Sequence, residues 1–298
     1  MATTGSQSQP TVDLREPASW RKTKNQIMTV LMVLAMLIIL VPLVFVLYTV
    51  ISKGAGIISG QFLTADIPPN VLPASIGGMG PAIIGTLEIT GLATLMAVPL
   101  GVLGAIYLNE YGKNGLLARF IGFMADVMTG VPSIVMGLFI FSIWTLHFGF
   151  NGVGGAFALA CLMLPLVIRS SQEMLSLVPD PLREASYALG ASRARVTLTV
   201  VLPTAIGGIV SGALLAVARA AGETAPLLFT ILTVTTVNTD VFNGANTALP
   251  AQIFANATSP YNGAQARAWG AALTLIVIAF VLLVVARFIT ARFTRVGR

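Results

Sequence analysis

Six stretches of this sequence, near 27–51, 82–108, 122–146, 152–168, 204–233 and 268–290, are apolar over lengths close to the ~20 helical residues that a hydrocarbon layer requires. The fold class this predicts is all-α: a polytopic membrane protein with about six transmembrane helices. The fourth run is the shortest and ends at Arg169. The first is too long for the apolar core of a signal peptide and is followed by no small-residue cleavage site, so it reads as a retained span. Composition points the same way. Of 298 residues, 56% are hydrophobic and 9% charged, with a mean hydropathy of +0.88. Soluble domains carry about 25% charged residues, and this chain has too few to cover a water-facing surface. Residues 1–25, polar and proline-containing, read as a disordered cytoplasmic tail, leaving 26–298 as the membrane domain.

Basic residues orient the spans, because cytoplasmic loops collect Lys and Arg. Arg15, Arg21, Lys22 and Lys24 precede span one, and Lys113 and Arg119 follow span two. Arg169, Arg183, Arg193 and Arg195 follow span four, and Arg287, Arg292, Arg295 and Arg298 close span six. All fall on one side. The other side receives Lys53 and Arg267, while Arg219 lies inside span five. Both termini are therefore expected in the cytoplasm of a plasma membrane, with lipid around the spans. The pI of 9.9 then requires no nucleic acid.

Several chemistries are disfavoured. Cys161 is the single cysteine, lies in span four, and reads as packing. With one histidine, His147, in a short outer loop and no HExxH, neither a metal site nor a hydrolase set is expected, and no cofactor is. A phosphate-cradling loop needs a glycine five residues before Gly-Lys and Ser or Thr after it. At Gly112-Lys113 those positions are Tyr107 and Asn114, so any ATP that drives this chain must be bound and hydrolysed on another subunit.

The largest expected cytoplasmic segment is 169–203. Asp180 reads as an N-cap, Pro181 as the first helical residue and Gly190 as the left-handed stop. Leu182, Ala185, Ser186 and Leu189 fall on one face of the short helix between them. A helix this short is marginal alone and suits docking onto a partner, with an interfacial helix on its own bundle as the plainer alternative.

Here a resemblance becomes specific. Glu184-Ala185-Ser186, three residues, Gly190, nine residues, Val200, one residue, then Leu202-Pro203 resembles the EAA motif of ABC importer permeases, E-A-A-x3-G-x9-I-x-L-P. The departures are Ser186 and Val200. The resemblance implies a type I importer permease fold in which 181–190 is a coupling helix seated in an ATPase groove. Ala185 and Ser186 are then small for close approach, and Gly190 makes the turn. Further on, RAAGETAPLLFT at 219–230 resembles the signature of the PstA-type permeases of phosphate-specific ABC importers. That resemblance runs from span one to span six. It implies a PstC-like second permease subunit, a PstB-like ATPase dimer and a PstS-like extracytoplasmic phosphate-binding protein as partners. It also implies a non-catalytic, path-forming role.

Arg219 and Glu223 stand one turn apart in an otherwise apolar run. Each ionised residue at mid-membrane costs roughly 2.5–3.5 kcal/mol, against about 0.3–0.6 kcal/mol regained per large aliphatic or Phe. The Arg-before-Glu order is the weaker one for a helix pair, and two leucines would serve stability better. Arg219 therefore reads as a positive element of a translocation path, its donor fork suited to an oxyanion, and Glu223 as the group that orients it. A purely adhesive pair between helices is the alternative. Gly222 removes bulk, and Pro226 cannot donate to the Gly222 carbonyl, so 219–226 is a candidate hinge or gate, with Thr224 available for freed carbonyls. Glu88 and Asp126 are other possible partners of Arg219, although Asp126, near the cytoplasmic end of span three, also reads as solvated. Gly208-x3-Gly212 and Gly101-x2-Gly104 permit close helix packing.

Rival readings are an importer permease for another oxyanion and an ion-coupled secondary transporter. The latter needs intramembrane sites on two broken helices, where the sequence offers one.

Overall fold

The computed structural model describes residues 19–68, 77–112 and 115–296. These form α1 (Ser19–Gly54), α2 (Gly60–Thr64), α3 (Gly80–Ile106), α4 (Leu116–Gly130), α5 (Ser133–Ile140), α6 (Leu146–Phe148) and α7 (Gly152–Ser176). There follow α8 (Asp180–Ala188), α9 (Arg193–Val196), α10 (Leu202–Ala221), α11 (Leu227–Thr230), α12 (Leu249–Ala257) and α13 (Asn262–Val296). Three π-helical turns, Tyr107–Gly112, Phe141–Thr145 and Thr197–Val201, continue α3, join α5 to α6 and join α9 to α10. The described residues contain no strand, and the all-α class holds.

Five helical runs are long and apolar enough to cross a membrane, or six if α4 and the run from α5 to α6 count as one broken span. Residues up to Thr49 make one compact unit and those from Val50 a second. In the first, α1 is apolar on every side and exposed from Ile27 to Tyr48, the surface of a helix whose solvent is lipid. It begins at Ser19, so the last part of the expected tail is helical; the tail's residues 1–18 lie outside the described residues.

In the second unit α3 and α7 pack along each other on small side chains. Ala93 and Ala97 of α3 meet Ala156, Leu159, Ala160 and Met163 of α7, and Val217 and Ala220 of α10 close the cluster. The small-residue pairs do what close packing requires. A Cβ on Gly212 would lie 2.5 Å from Ser170 Oγ, and one on Gly101 would lie 2.7 Å from Val167 Cγ1, both on α7.

Four expected spans change shape. Span three is not straight: α4 and α5 meet at 108° across Val131-Pro132, where Pro132 has no N–H to continue α4. Span four extends past Arg169 to Ser176, because Arg169 pairs sideways with Asp126 of α4 and need not leave the helix. Span five begins at Arg193 and stops at Ala221, with residues 222–226 non-helical before α11. Span six begins at Asn262, ahead of its apolar core. Much of 169–203 is thus helix continuous with α7 and α10, not loop.

Candidate functional site

The helix break in α10 and the bend between α4 and α5 share one cavity. Its volume is about 320 Å³, and its walls include Thr129, Val131, Pro132 and Ser133 at the bend, Met163 and Pro165 of α7, and Arg219 and Glu223. Arg219 occupies the last turn of α10, and Glu223 follows the break. Arg219 Nε stands 3.7 Å from Glu223 Oε1, an ion pair too long to be a hydrogen bond. The Arg219 side chain is 66% exposed and that of Glu223 25%, so the guanidinium keeps most of its donors available. The first turn of α5 also borders the cavity, and the positive end of that helix adds to the field of Arg219. The cleft thus offers guanidinium donors beside a helix N-terminus, with the Glu223 carboxylate on the same wall.

Of the three acids proposed for Arg219, Glu223 is the one paired with it. Asp126 binds Arg169, which also donates to Gly122 O at 2.9 Å and Gln172 Oε1 at 2.9 Å, so Asp126 is neither the partner of Arg219 nor simply solvated. Glu88 Oε2 is buried with no hydrogen-bond partner among the described residues.

Gly222 and Pro226 sit in the break as expected, but for a different reason. A Cβ on Gly222 would meet only the Arg219 carbonyl, at 3.6 Å, so its lack of bulk relieves no crowding. The N–H groups of Gly222 and Glu223 donate to the carbonyls of Arg219 and Ala220, so the Ala220 carbonyl one turn before Thr224 is already bonded. Pro226 instead packs its backbone against Gly137 of α5.

At the other feature, α8 matches the punctuation with one correction. Gly190 has φ +82°, the left-handed stop, but Asp180 is not an N-cap: Pro179 holds that position, and Asp180 Oδ1 accepts from Arg183 Nη1 at 3.0 Å. No residue of α8 is fully buried. Leu182, Ala185 and the following Leu189 lie exposed, and Ser186 half-buried, its hydroxyl bonded to Leu182 O at 2.9 Å. Glu184 lines a polar cleft of about 460 Å³ behind the helix. Val200 and Leu202 pack on the core that includes Leu175, Val196 and Val201. Pro203 stands in the first turn of α10, just after the π-turn Thr197–Val201. That wide turn accommodates the missing N–H.

Two side chains with structural roles escaped the sequence reading. Arg183, counted there as loop charge, is largely buried and reaches Glu110 Oε1 at 3.1 Å. Arg267, counted as an outer-loop charge, is 1% exposed inside α13, bound to Asn256 Oδ1 through Nε at 3.0 Å and Nη2 at 2.7 Å. His147 lies exposed on the short α6, as a solvated residue would.

The described residues thus combine an exposed amphipathic helix, α8, with a cleft that sets Arg219 and Glu223 between two helix discontinuities. Residues 97–295 match the family described as the inner membrane component of binding-protein-dependent transport systems. The chain is also 44% identical over 261 residues to the phosphate transport system permease protein PstA 1 of Mycobacterium tuberculosis, covering 87% of this chain and 86% of that one. It is 41% identical over 281 residues to PstA of Yersinia pestis, covering 93% and 94%. The chain belongs to the PstA family of transport permeases. Solved structures share the fold at lower identity. A MetNI methionine ABC transporter chain aligns with TM-score 0.58 at 20% identity, covering 73% of this chain and 94% of that one. A bacterial alginate ABC transporter chain, solved with a periplasmic protein bound to an alginate pentasaccharide, aligns with TM-score 0.60 at 15% identity over 93% and 98%.

Proposed function

We propose that this chain is one of two permease subunits of an ATP-driven phosphate importer, without catalytic chemistry of its own. It shares a path with a PstC-like permease, receives phosphate from a PstS-like binding protein, and is driven by a PstB-like ATPase dimer. The observation that carries the reading is the exposed guanidinium of Arg219 in a cavity walled by two broken helices. A phosphate oxyanion fits that donor fork, and one cation paired loosely with Glu223 holds it without trapping it. Discontinuous helices at that depth are tolerated because they face a cavity. The second break, at Val131-Pro132, meets the two-broken-helix requirement for a secondary transporter, but family membership and α8 favour the ATP-driven reading.

In this reading the α8 end of the bundle is cytoplasmic, along with both termini, where the basic residues gather. Lys53 over the Trp269 ring at 4.8 Å, and Trp144 with Phe148 and Phe157, would mark the opposite interface. Residues 181–190 take up the motion of the ATPase.

The test is phosphate uptake in cells whose high-affinity route depends on this subunit, with Arg219→Gln compared at matched membrane levels. An assembled complex that hydrolyses ATP and carries no phosphate supports the reading. Unimpaired uptake removes Arg219 from the path, and loss of assembly makes the pair adhesive. Sulfate as competitor separates phosphate from another oxyanion.

A further inference from the structure

Two connections run from α8 to the cavity. One is the chain itself, through α9 and the π-turn Thr197–Val201 into α10, whose last turn carries Arg219. The other passes through side chains. Arg183 Nη2 donates to Glu110 Oε1 at 3.1 Å and to Leu175 O at 2.9 Å, and Nη1 to Val178 O at 2.5 Å. The Glu110 side chain is 5% exposed and that of Arg183 13%, and Asn109 Nδ2 holds the same Glu110 oxygen at 2.7 Å. Glu110 belongs to the π-turn that ends α3. Two residues later Gly112 abuts α4 so closely that a Cβ there would lie 2.5 Å from that of Ala118. From that contact α4 runs to the bend at Val131-Pro132, a wall of the Arg219 cavity.

A buried ion pair is a poor stabiliser, since apolar side chains of the same volume pack at least as well. A guanidinium fork shared between a carboxylate and two carbonyls fixes register and orientation instead. We propose that the Arg183–Glu110 pair is a positioning contact that makes α8 move together with the start of α4, so that a displacement of α8 reaches the Val131-Pro132 bend and the α10 break at once. This rests on α8 being the helix that docks on the ATPase. Without the pair, α8 still docks and α10 still follows along the chain, but the α4 wall of the cavity does not move in step.

The experiment uses the assembled importer in vesicles with its binding protein, and reads phosphate carried per ATP hydrolysed for Glu110→Gln, Arg183→Gln and the double variant. In parallel, Leu189→Cys in each background reports cross-linking of α8 to the ATPase. The expected result is unchanged assembly and cross-linking, sustained ATP hydrolysis, and a roughly fivefold fall in phosphate per ATP in each single variant. The double variant should be no worse than the poorer single one. An unchanged ratio, multiplied losses in the double variant, or failure of Glu110→Gln to assemble overturns the inference. Absence of the cross-link in the otherwise unaltered chain overturns the reading of α8 itself, a separate failure.

Discussion

Gly137 and Pro226 meet with no room for a side chain between them: a Cβ on Gly137 would lie 2.7 Å from Pro226 Cα and 3.2 Å from Phe229 Cδ2. The helix after the Val131-Pro132 bend is thereby locked to the short helix after the α10 break. The segments that follow the two discontinuities walling the Arg219 cavity are thus in direct contact.

Because the opposing atom is backbone, a methyl on Gly137 cannot be accommodated by a rotamer change. Gly137→Ala is expected to destabilise the chain by about 1–3 kcal/mol and to reduce transport more than abundance. Gly91→Ala is the control. Gly91 lies within α3 with nothing within 4 Å of its would-be Cβ, so the change should be neutral or stabilising by up to about 1 kcal/mol. Thermal unfolding of the purified complex compares the two. Equal effects would mean that α5 and α11 separate freely.

Arg267 and Asn256 give a second prediction. Asn256 Nδ2 donates to Gln252 O at 2.7 Å and to Gln252 Oε1 at 3.0 Å, and Gln252 Nε2 in turn holds Val234 O at 3.0 Å and Thr247 Oγ1 at 3.0 Å. A buried cation thus holds α12, α13 and the 231–248 segment in one network. Asn256→Leu removes one acceptor from a guanidinium that is 1% exposed, and should cost about 1–3 kcal/mol. Protease cleavage within 231–248 should rise with it. Cleavage like that of the unaltered chain would show that the network is dispensable.

These two relationships also mark where the sequence ran out. Apolar runs reveal how many helices can sit in lipid, and the existence, though not every boundary, of the spans built on α1, α3, α7 and α13 follows from hydropathy. Hydropathy carries no direction, so the 108° turn at Val131-Pro132 was hidden inside one apolar stretch, although Pro132 stood there as a breaker. The charged turn at 219–223 was legible because lipid makes any charge conspicuous. Arg267 and Arg183 were not, since the first stands at the edge of an apolar run and the second within a polar connecting segment, where a cation is ordinarily solvated. Only the partners that fold back on them, Asn256 and Glu110, reveal their burial, and the latter is 73 residues away. The α8 helix was readable through Gly190, whose φ of +82° follows from local chemistry.

Asp240 gives a pH-dependent prediction for the 231–248 segment. Its carboxylate accepts from the Asn243 side chain at 2.9 Å and from the N–H groups of Phe242 at 2.9 Å and Asn243 at 3.1 Å. These bonds hold its pKa below the ordinary value of 3.8, the Asn243 side chain contributing most. A depressed carboxylate pKa means the turn is favoured above about pH 4, and the benefit fades as pH falls through the lower folded value. Proteolysis of 238–246 by an acid-active protease should therefore increase toward low pH in the unaltered chain. Asp240→Asn should flatten that rise. A rise of the same size in the variant would place the acid sensitivity elsewhere.

The last prediction separates shape from size at the end of α8. Nothing lies within 4 Å of a Cβ built on Gly190, so the space beside it is open in the isolated chain, while its φ of +82° is a conformation that side chains resist. If conformation is what matters, Gly190→Ala should cost about 1–2 kcal/mol locally, and Gly190→Asn less, because Asn tolerates the left-handed region. If the ATPase groove instead demands a small residue, the order reverses and Ala outperforms Asn. Phosphate carried per ATP hydrolysed, measured for both variants, decides between them. Ala185→Trp supplies the reference for a pure size effect: it changes no special backbone angle, and it should block docking and transport together. Normal coupled transport in Ala185→Trp would mean that α8 is not the helix the ATPase holds. Ala better than Asn at Gly190 would add that position to the docking surface, and Asn better than Ala would confine its role to ending the helix.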